Sequence, residues 1–395
     1  MADYSKKVSL EEKLLLSLCR LQFTNDQKKQ ISEYLKEKID WNYLIKIANE
    51  HGIIALCWNN FAERENGFEI PPEYLNKLYS GFIISLVKNT HLSDLLKNVL
   101  SLAKEENIKI VLLKGLALER SIYGNRGIRQ MNDLDILVNQ RSAIKLRKKL
   151  IKNGFETTPI ISPLHEINMP SYGKHLPEMY KNGISVEIHF KLFDQEGDSL
   201  TKEFIDSAVL STYDSKNSEV FLPEQQLFFL YLVKHLDKHE NSGTSQLRLY
   251  TDLFIYLLNF QDKILNFRLF EIAEIAGISN ALTEKFYILK VFWNFHYPSW
   301  IEERFIIIDS DKISETFIQF LHQPNNQKEE IQESLLKPIS DISGFTNKIL
   351  FILGCTIPSI AYMKFRYKTT SPLFTLLYYP VRCVKLIKRL FLGQL

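Results

Sequence analysis

From Leu10 to about Leu102, apolar residues recur at intervals of three and four. That is the period of helices with one buried stripe. LEEKLLLSLCRL, TNDQKKQISEYLKEKI, WNYLIKIANEHGIIALCWNNF and the long run from Pro71 to Asn107 all predict helix. Thr24 and Asn25, with Lys28 after them, offer a weak cap; Asp40-Trp41 caps and anchors a helix, and Pro71-Pro72 opens the next. The period then changes. IKIVLL (Ile108 to Leu113) is a short apolar run that predicts a strand ending at Lys114-Gly115, and LALERSIY after it is helical. LDILV (Leu134 to Val138) predicts a second strand. SAIKLRKKLIKNGF predicts an amphipathic helix with Ser142 as N-cap and Gly154 just past its end. HLPEMY, the turn KNG and ISVEIHF (Ile184 to Phe190) predict a hairpin. From Pro223 the helical period returns. Residues Asn325 to Asp341 are polar and predict a mobile connection.

These elements predict an α+β protein. A small α/β core with a mixed sheet, residues 105–215, lies between a helical region, 1–104, and a longer one, 216–395. Composition fits such a fold, with 45% hydrophobic and 24% charged residues. Four scattered cysteines form no CxxC pair, which excludes a zinc knuckle or disulfide framework and favours a cytoplasmic setting. The first twenty residues read as a helix rather than a signal peptide. No apolar run reaches the length of a spanning helix.

Charge alters the picture at one end. From Phe345 onward there are eight bases and no acid, while the rest of the chain holds 41 bases against 46 acids. SPLFTLLYYPVRCVKLIKRLFLG is amphipathic, with Arg382, Lys385 and Arg389 at helical spacing. Such a helix can lie peripherally on an anionic membrane, at the inner face of a cell. It can also pack on its own domain with the basic face in solvent. The second reading is preferred, because Pro380 would bend or divide the helix. No nucleic-acid-binding signature accompanies these bases.

The candidate chemistry sits in RQMNDLDILVN, Arg129 to Asn139. Strand side chains alternate, so Asp133 and Asp135 project to one face, about 7 Å apart. Two carboxylates side by side repel, and a hard divalent cation relieves the repulsion. Magnesium or manganese held there can serve phosphoryl or nucleotidyl transfer. Glu187 lies in a neighbouring predicted strand, on the face of His189, and can complete a metal-binding, catalytic set with the aspartates. Lys114 and Gly115 can meet phosphate through a point charge and a backbone without a side chain. Arg129 can meet a triphosphate or pair with Asp133; both readings stay open.

The stretch Val111 to Glu156, with Lys114-Gly115, Tyr123, Arg129, the DLDILV strand and Glu187-Ile188-His189, resembles the uncharacterised nucleotidyltransferase-like family of the DNA polymerase β-type superfamily. KHLPEMYKNGISVEIHF resembles the family's His-Leu-Pro hairpin and picks out His175. The Asp-Trp helix, LVKHLDKH and LRLYTDL resemble its flanks. The resemblance implies a polymerase β-like core, a nucleoside triphosphate such as ATP as substrate, and transfer of a nucleoside monophosphate to an unidentified acceptor with pyrophosphate release. Where the wider superfamily has a Gly-Ser loop, this chain has Lys-Gly. Kinase-type transfer at the same site, or a non-catalytic nucleotide-binding accessory role, are the alternatives.

His189 can act as general base, touch phosphate or orient Glu187. His235 and His239, at i and i+4, form one polar helix face rather than a zinc site, since no third ligand accompanies them; a substrate contact is the minority reading. Arg248 and Asp252, at the same spacing, predict a local salt bridge.

Overall fold

The computed structural model describes residues 7–193, 198–212, 219–322, 342 and 344–391. The side chains of 169–172, 198, 212 and 387–391 are outside that description, as is the connection expected at Asn325 to Asp341. The chain divides into two compact units that interleave along the sequence. One gathers Met1–Lys97, Leu112–Asn132 and Phe193–Lys328; the other gathers Asn98–Val111, Asp133–Leu192 and Glu329–Leu395.

The first unit is mainly helical. Its early helices start on side-chain caps. Ser9 and Glu12 close a reciprocal capping box ahead of Leu10–Leu18, and Thr24 and Gln27 do the same ahead of Asn25–Lys36. Asp40 accepts from the Tyr43 amide at 3.0 Å, while Trp41 stacks on Tyr74 with centroids 5.6 Å apart. The expected cap and anchor are both present. His51 then ties this region to later helices. Its Nδ1 accepts from the Leu247 amide at 3.1 Å and its Nε2–H donates to the Leu321 carbonyl at 3.1 Å. The ring is fully buried, and burial pushes its pKa down to about 4.

The second unit carries most of the sheet. Strand β1 is Val111–Leu112, shorter than the predicted run, and β2 is Asp133–Leu137. β3 is Glu156–Thr157, β4 Met179–Lys181 and β5 Ile184–His189. β3, β4 and β5 pair antiparallel, and β2 pairs parallel with β5. The sheet is therefore mixed, as expected. Asn182 and Gly183, with φ of 53° and 76°, form the β4–β5 turn. Two successive left-handed residues match the twist of the flanking strands. The helix Gln140–Lys152 buries Ala143, Leu146 and Leu150. Its N-cap is Asn139, whose side chain accepts from the Ser142 amide at 2.9 Å. Ser142 lies three residues inside, so the expected cap was displaced by an equally good one upstream.

Two short strands were not foreseen. β6, Val209–Thr212, and β7, Glu219–Leu222, form an antiparallel pair in the first unit. Four-residue strands are too brief to show a clear period, and Val209 and Leu210 leave large apolar side chains exposed.

The C-terminal segment belongs to the second unit. Helix Phe345–Thr356 packs on helix Pro163–Tyr172. Asn168 donates to the Asn347 carbonyl at 2.7 Å, and the Ser359 amide donates to the Ile161 carbonyl at 2.7 Å. At Gly354 an added methyl would strike the His165 ring at 2.2 Å, so only glycine permits this approach. The amphipathic stretch is divided beside Pro380, as expected, into Pro372–Leu376 and a last helix, Tyr378–Phe391. Pro380 is its third residue, where an amide has no intrahelical acceptor, so the missing N–H costs nothing there. The break falls at Leu377, three residues before it.

Candidate active site

Register builds the site. In the parallel pair, Asp133 stands opposite Ser185, Asp135 opposite Glu187, and Leu137 opposite His189. Paired residues on neighbouring strands face the same side, about 5 Å apart. Asp135 and Glu187 thus confront each other as carboxylates, and His189 follows two residues along β5. Its Nε2 lies 2.9 Å from Asp135 Oδ1 and 3.2 Å from Glu187 Oε2. One donor atom from each of the three residues falls within 4.8 Å of the other two. Asp135 and His189 are buried, and Glu187 is partly exposed. Leu134 and Ile136 take the opposite face into the core.

The grouping differs from the set expected from sequence. Asp133 is half-buried at the start of β2 and is not a member of the cluster; His189 is. Strand alternation puts both aspartates on one face, but only register shows that Glu187 meets the second of them. Two carboxylates and an imidazole form a donor set that suits a divalent cation. Without a cation, a histidine N–H aimed at both carboxylates eases their repulsion. His175, exposed, bridges His189 through the backbone, with ring centroids 5.4 Å apart.

The other candidates belong to the first unit. Lys114 has a positive φ of 42°, unusual for a side chain with a Cβ. Gly115 is needed for close packing: a methyl there would come within 2.6 Å of Arg129 Nη1 and of Met131 Sδ. Arg129 is held by a partner that the sequence did not point to. Its Nε and Nη2 grip Asp252 at 2.9 and 2.7 Å, and the Tyr123 hydroxyl donates to the same carboxylate at 2.8 Å. Arg129 and Asp252 are both buried. Asn89 donates to the Arg129 carbonyl at 2.7 Å, and Arg248 donates to the Gln130 carbonyl. Asp252 is thus held by a guanidinium 123 residues away, a partner that helical spacing does not point to.

His235 and His239 share one helix face, their rings edge to face at 4.4 Å. His239 Nδ1 meets the Thr244 hydroxyl at 2.8 Å. Burial, reinforced by the charge of Lys114, holds the pKa of His235 well below the usual histidine range. Neither histidine belongs to a metal-binding group among the described residues.

The sequence profile of a family described as "Uncharacterised nucleotidyltransferase" matches residues 37–294. The chain belongs to this family. All the residues above from Asp40 to Asp252 lie within the matched span, and the C-terminal segment lies beyond it. The protein is thus a nucleotidyltransferase by family, with a mixed α+β fold. No curated protein matches the chain. Solved structures similar to it include two of one protein. A crystal structure of ANT(2")-Ia in complex with adenylyl-2"-tobramycin shares 8% identity at a TM-score of 0.33, over 48% of this chain and 97% of that one. A solution structure of the antibiotic-resistance factor ANT(2'')-Ia shares 12% identity at the same TM-score, over 53% of this chain and 100% of that one.

Proposed function

We propose that this nucleotidyltransferase moves a nucleoside monophosphate from a nucleoside triphosphate to an acceptor, releasing pyrophosphate, with a divalent cation at Asp135 and Glu187. The observation that carries the reading is the register pairing of these two carboxylates beside His189. Facing carboxylates repel, and a cation that joins them relieves the repulsion, so the arrangement favours metal binding over a structural role. Magnesium or manganese, when bound, would neutralise charge on the triphosphate and its leaving pyrophosphate.

The protein's own groups then divide the work. Asp135 and Glu187 hold the cation, and Asp133, on the same strand face, is the third carboxylate assigned to it. His189 orients both carboxylates through Nε2. Lys114 and the Gly115 amide are assigned to phosphate. Arg129 is reassigned: with its guanidinium bound to Asp252, it stiffens the segment leading into β2 rather than meeting substrate. Four free cysteines and a nucleotide donor suit a cytoplasmic reaction.

The test is incubation with each α-labelled nucleoside triphosphate, magnesium or manganese and cell extract, following the label and the released phosphate. Label transfer with pyrophosphate release supports the proposal. Release of nucleoside diphosphate would reassign the site to kinase-type transfer. Nucleotide binding without turnover would assign an accessory role.

A further inference from the structure

We infer that the outer face of the C-terminal segment is a docking surface for an anionic lipid bilayer, independently of the reaction proposed above. The segment has two faces. Its inner face buries Phe351, Cys355, Met363 and Leu386. Its outer face is unusual for a surface in water. Half of the large apolar side chains exposed among the described residues fall between Phe345 and Val384. Phe345, Leu373 and Leu377 are 79%, 77% and 68% exposed, and Ile357, Phe365 and Phe374 each exceed half. Apolar clusters of this kind mark an interaction surface.

Charge identifies the partner. With eight bases and no acid from Phe345 onward, the segment carries only positive side chains, against an excess of acids in the rest of the chain. Lys364, Arg366, Lys368 and Lys385 stand among the apolar residues, and Lys364 alone is not fully exposed. Apolar side chains that enter the acyl boundary, with bases at headgroup level, are the pattern of a protein that lies on a membrane. A second copy of the chain fits less well, since a symmetric contact would set this positive face against itself. The apolar residues are also spread over four short helices, Phe345–Thr356, Ile360–Tyr367, Pro372–Leu376 and Tyr378–Phe391. Such spreading suits a broad lipid interface better than a single-peptide groove. Among the described residues no single helix is long and apolar enough to cross a membrane; Phe345–Thr356 and Ile360–Tyr367 together pass that test only with a 54° bend. Lying on the surface is therefore preferred to spanning.

The experiment is sedimentation of the full chain with vesicles of phosphatidylcholine alone or of equal parts phosphatidylcholine and phosphatidylglycerol. Binding is expected chiefly to the anionic vesicles and to weaken as salt is raised. The double variant L373S/F374S, altered where side chains project into solvent, should keep its melting temperature and bind about tenfold more weakly or less. K385E should weaken binding about fivefold or more. Equal binding to both vesicle types, or full binding by L373S/F374S at unchanged melting temperature, would overturn the inference. So would a vesicle-free dimer that L373S/F374S disperses, because it would assign the face to a second copy.

Discussion

Two buried acidic centres use opposite electrostatics. In the first unit, Asp252 is saturated: a bidentate guanidinium and a tyrosine hydroxyl surround one carboxylate. In the second, Asp135 faces another carboxylate, and the intervening donor is a histidine rather than a permanent cation. The first centre is closed and serves to hold chain segments 123 residues apart. The second gathers two carboxylates and an imidazole, a donor set that suits a cation. Burial of an acid by itself therefore does not identify function; the kind of partner that compensates it does.

The comparison can be broken most forcefully at Asp135. Asp135→Asn is expected to lower turnover on the order of 10³-fold, with an unchanged circular dichroism spectrum, because it removes a cation ligand and relieves repulsion. Near-normal turnover would remove the cluster from the mechanism. Asp252→Ala should behave in the reverse way. It strands a buried guanidinium and should cost about 3–5 kcal/mol of stability, read as a fall in the urea midpoint.

A third test concerns a compensated group of a different kind. His51 is buried and neutral, with its pKa pushed down to about 4 from an ordinary 6.5. The folded state thus binds fewer protons than the unfolded state between these values. The stability contributed by neutral His51 is complete above pH 6.5 and is lost as pH falls toward 4, by about 3 kcal/mol in all. Urea titrations across that window should show the loss, and His51→Gln should flatten it. The smallest effect is expected at Gly115→Ala. The added methyl must displace Arg129 or Met131 from 2.6 Å, costing about 1–3 kcal/mol and loosening the grip on Asp252. Thermal melting of the single variant and of its combination with Arg129→Lys would measure the coupling.

Much of this was legible locally. The Asp40 cap, the Asn182-Gly183 turn and the strand carrying Asp133 and Asp135 all follow from residues within a few positions of one another. Local reading failed where two local solutions competed, as Asn139 against Ser142 for one helix start. The division beside Pro380 was legible, because a proline cannot donate to the carbonyl four residues before it.

By itself, then, the sequence determined which residue types lay on which side of each strand, because alternation is a property of the extended backbone. It also determined the charge imbalance of the C-terminal segment, a matter of composition. Only the tertiary structure decided that β2 and β5 pair in the register that sets Asp135 against Glu187 and brings in His189. Only it decided that Arg129 belongs to Asp252, and that the apolar side chains of the C-terminal segment are left outside rather than covered. The physical reason is common to all three. Pairing and burial depend on contacts between segments far apart in the chain, and short-range periodicity carries no information about which distant partner fits best.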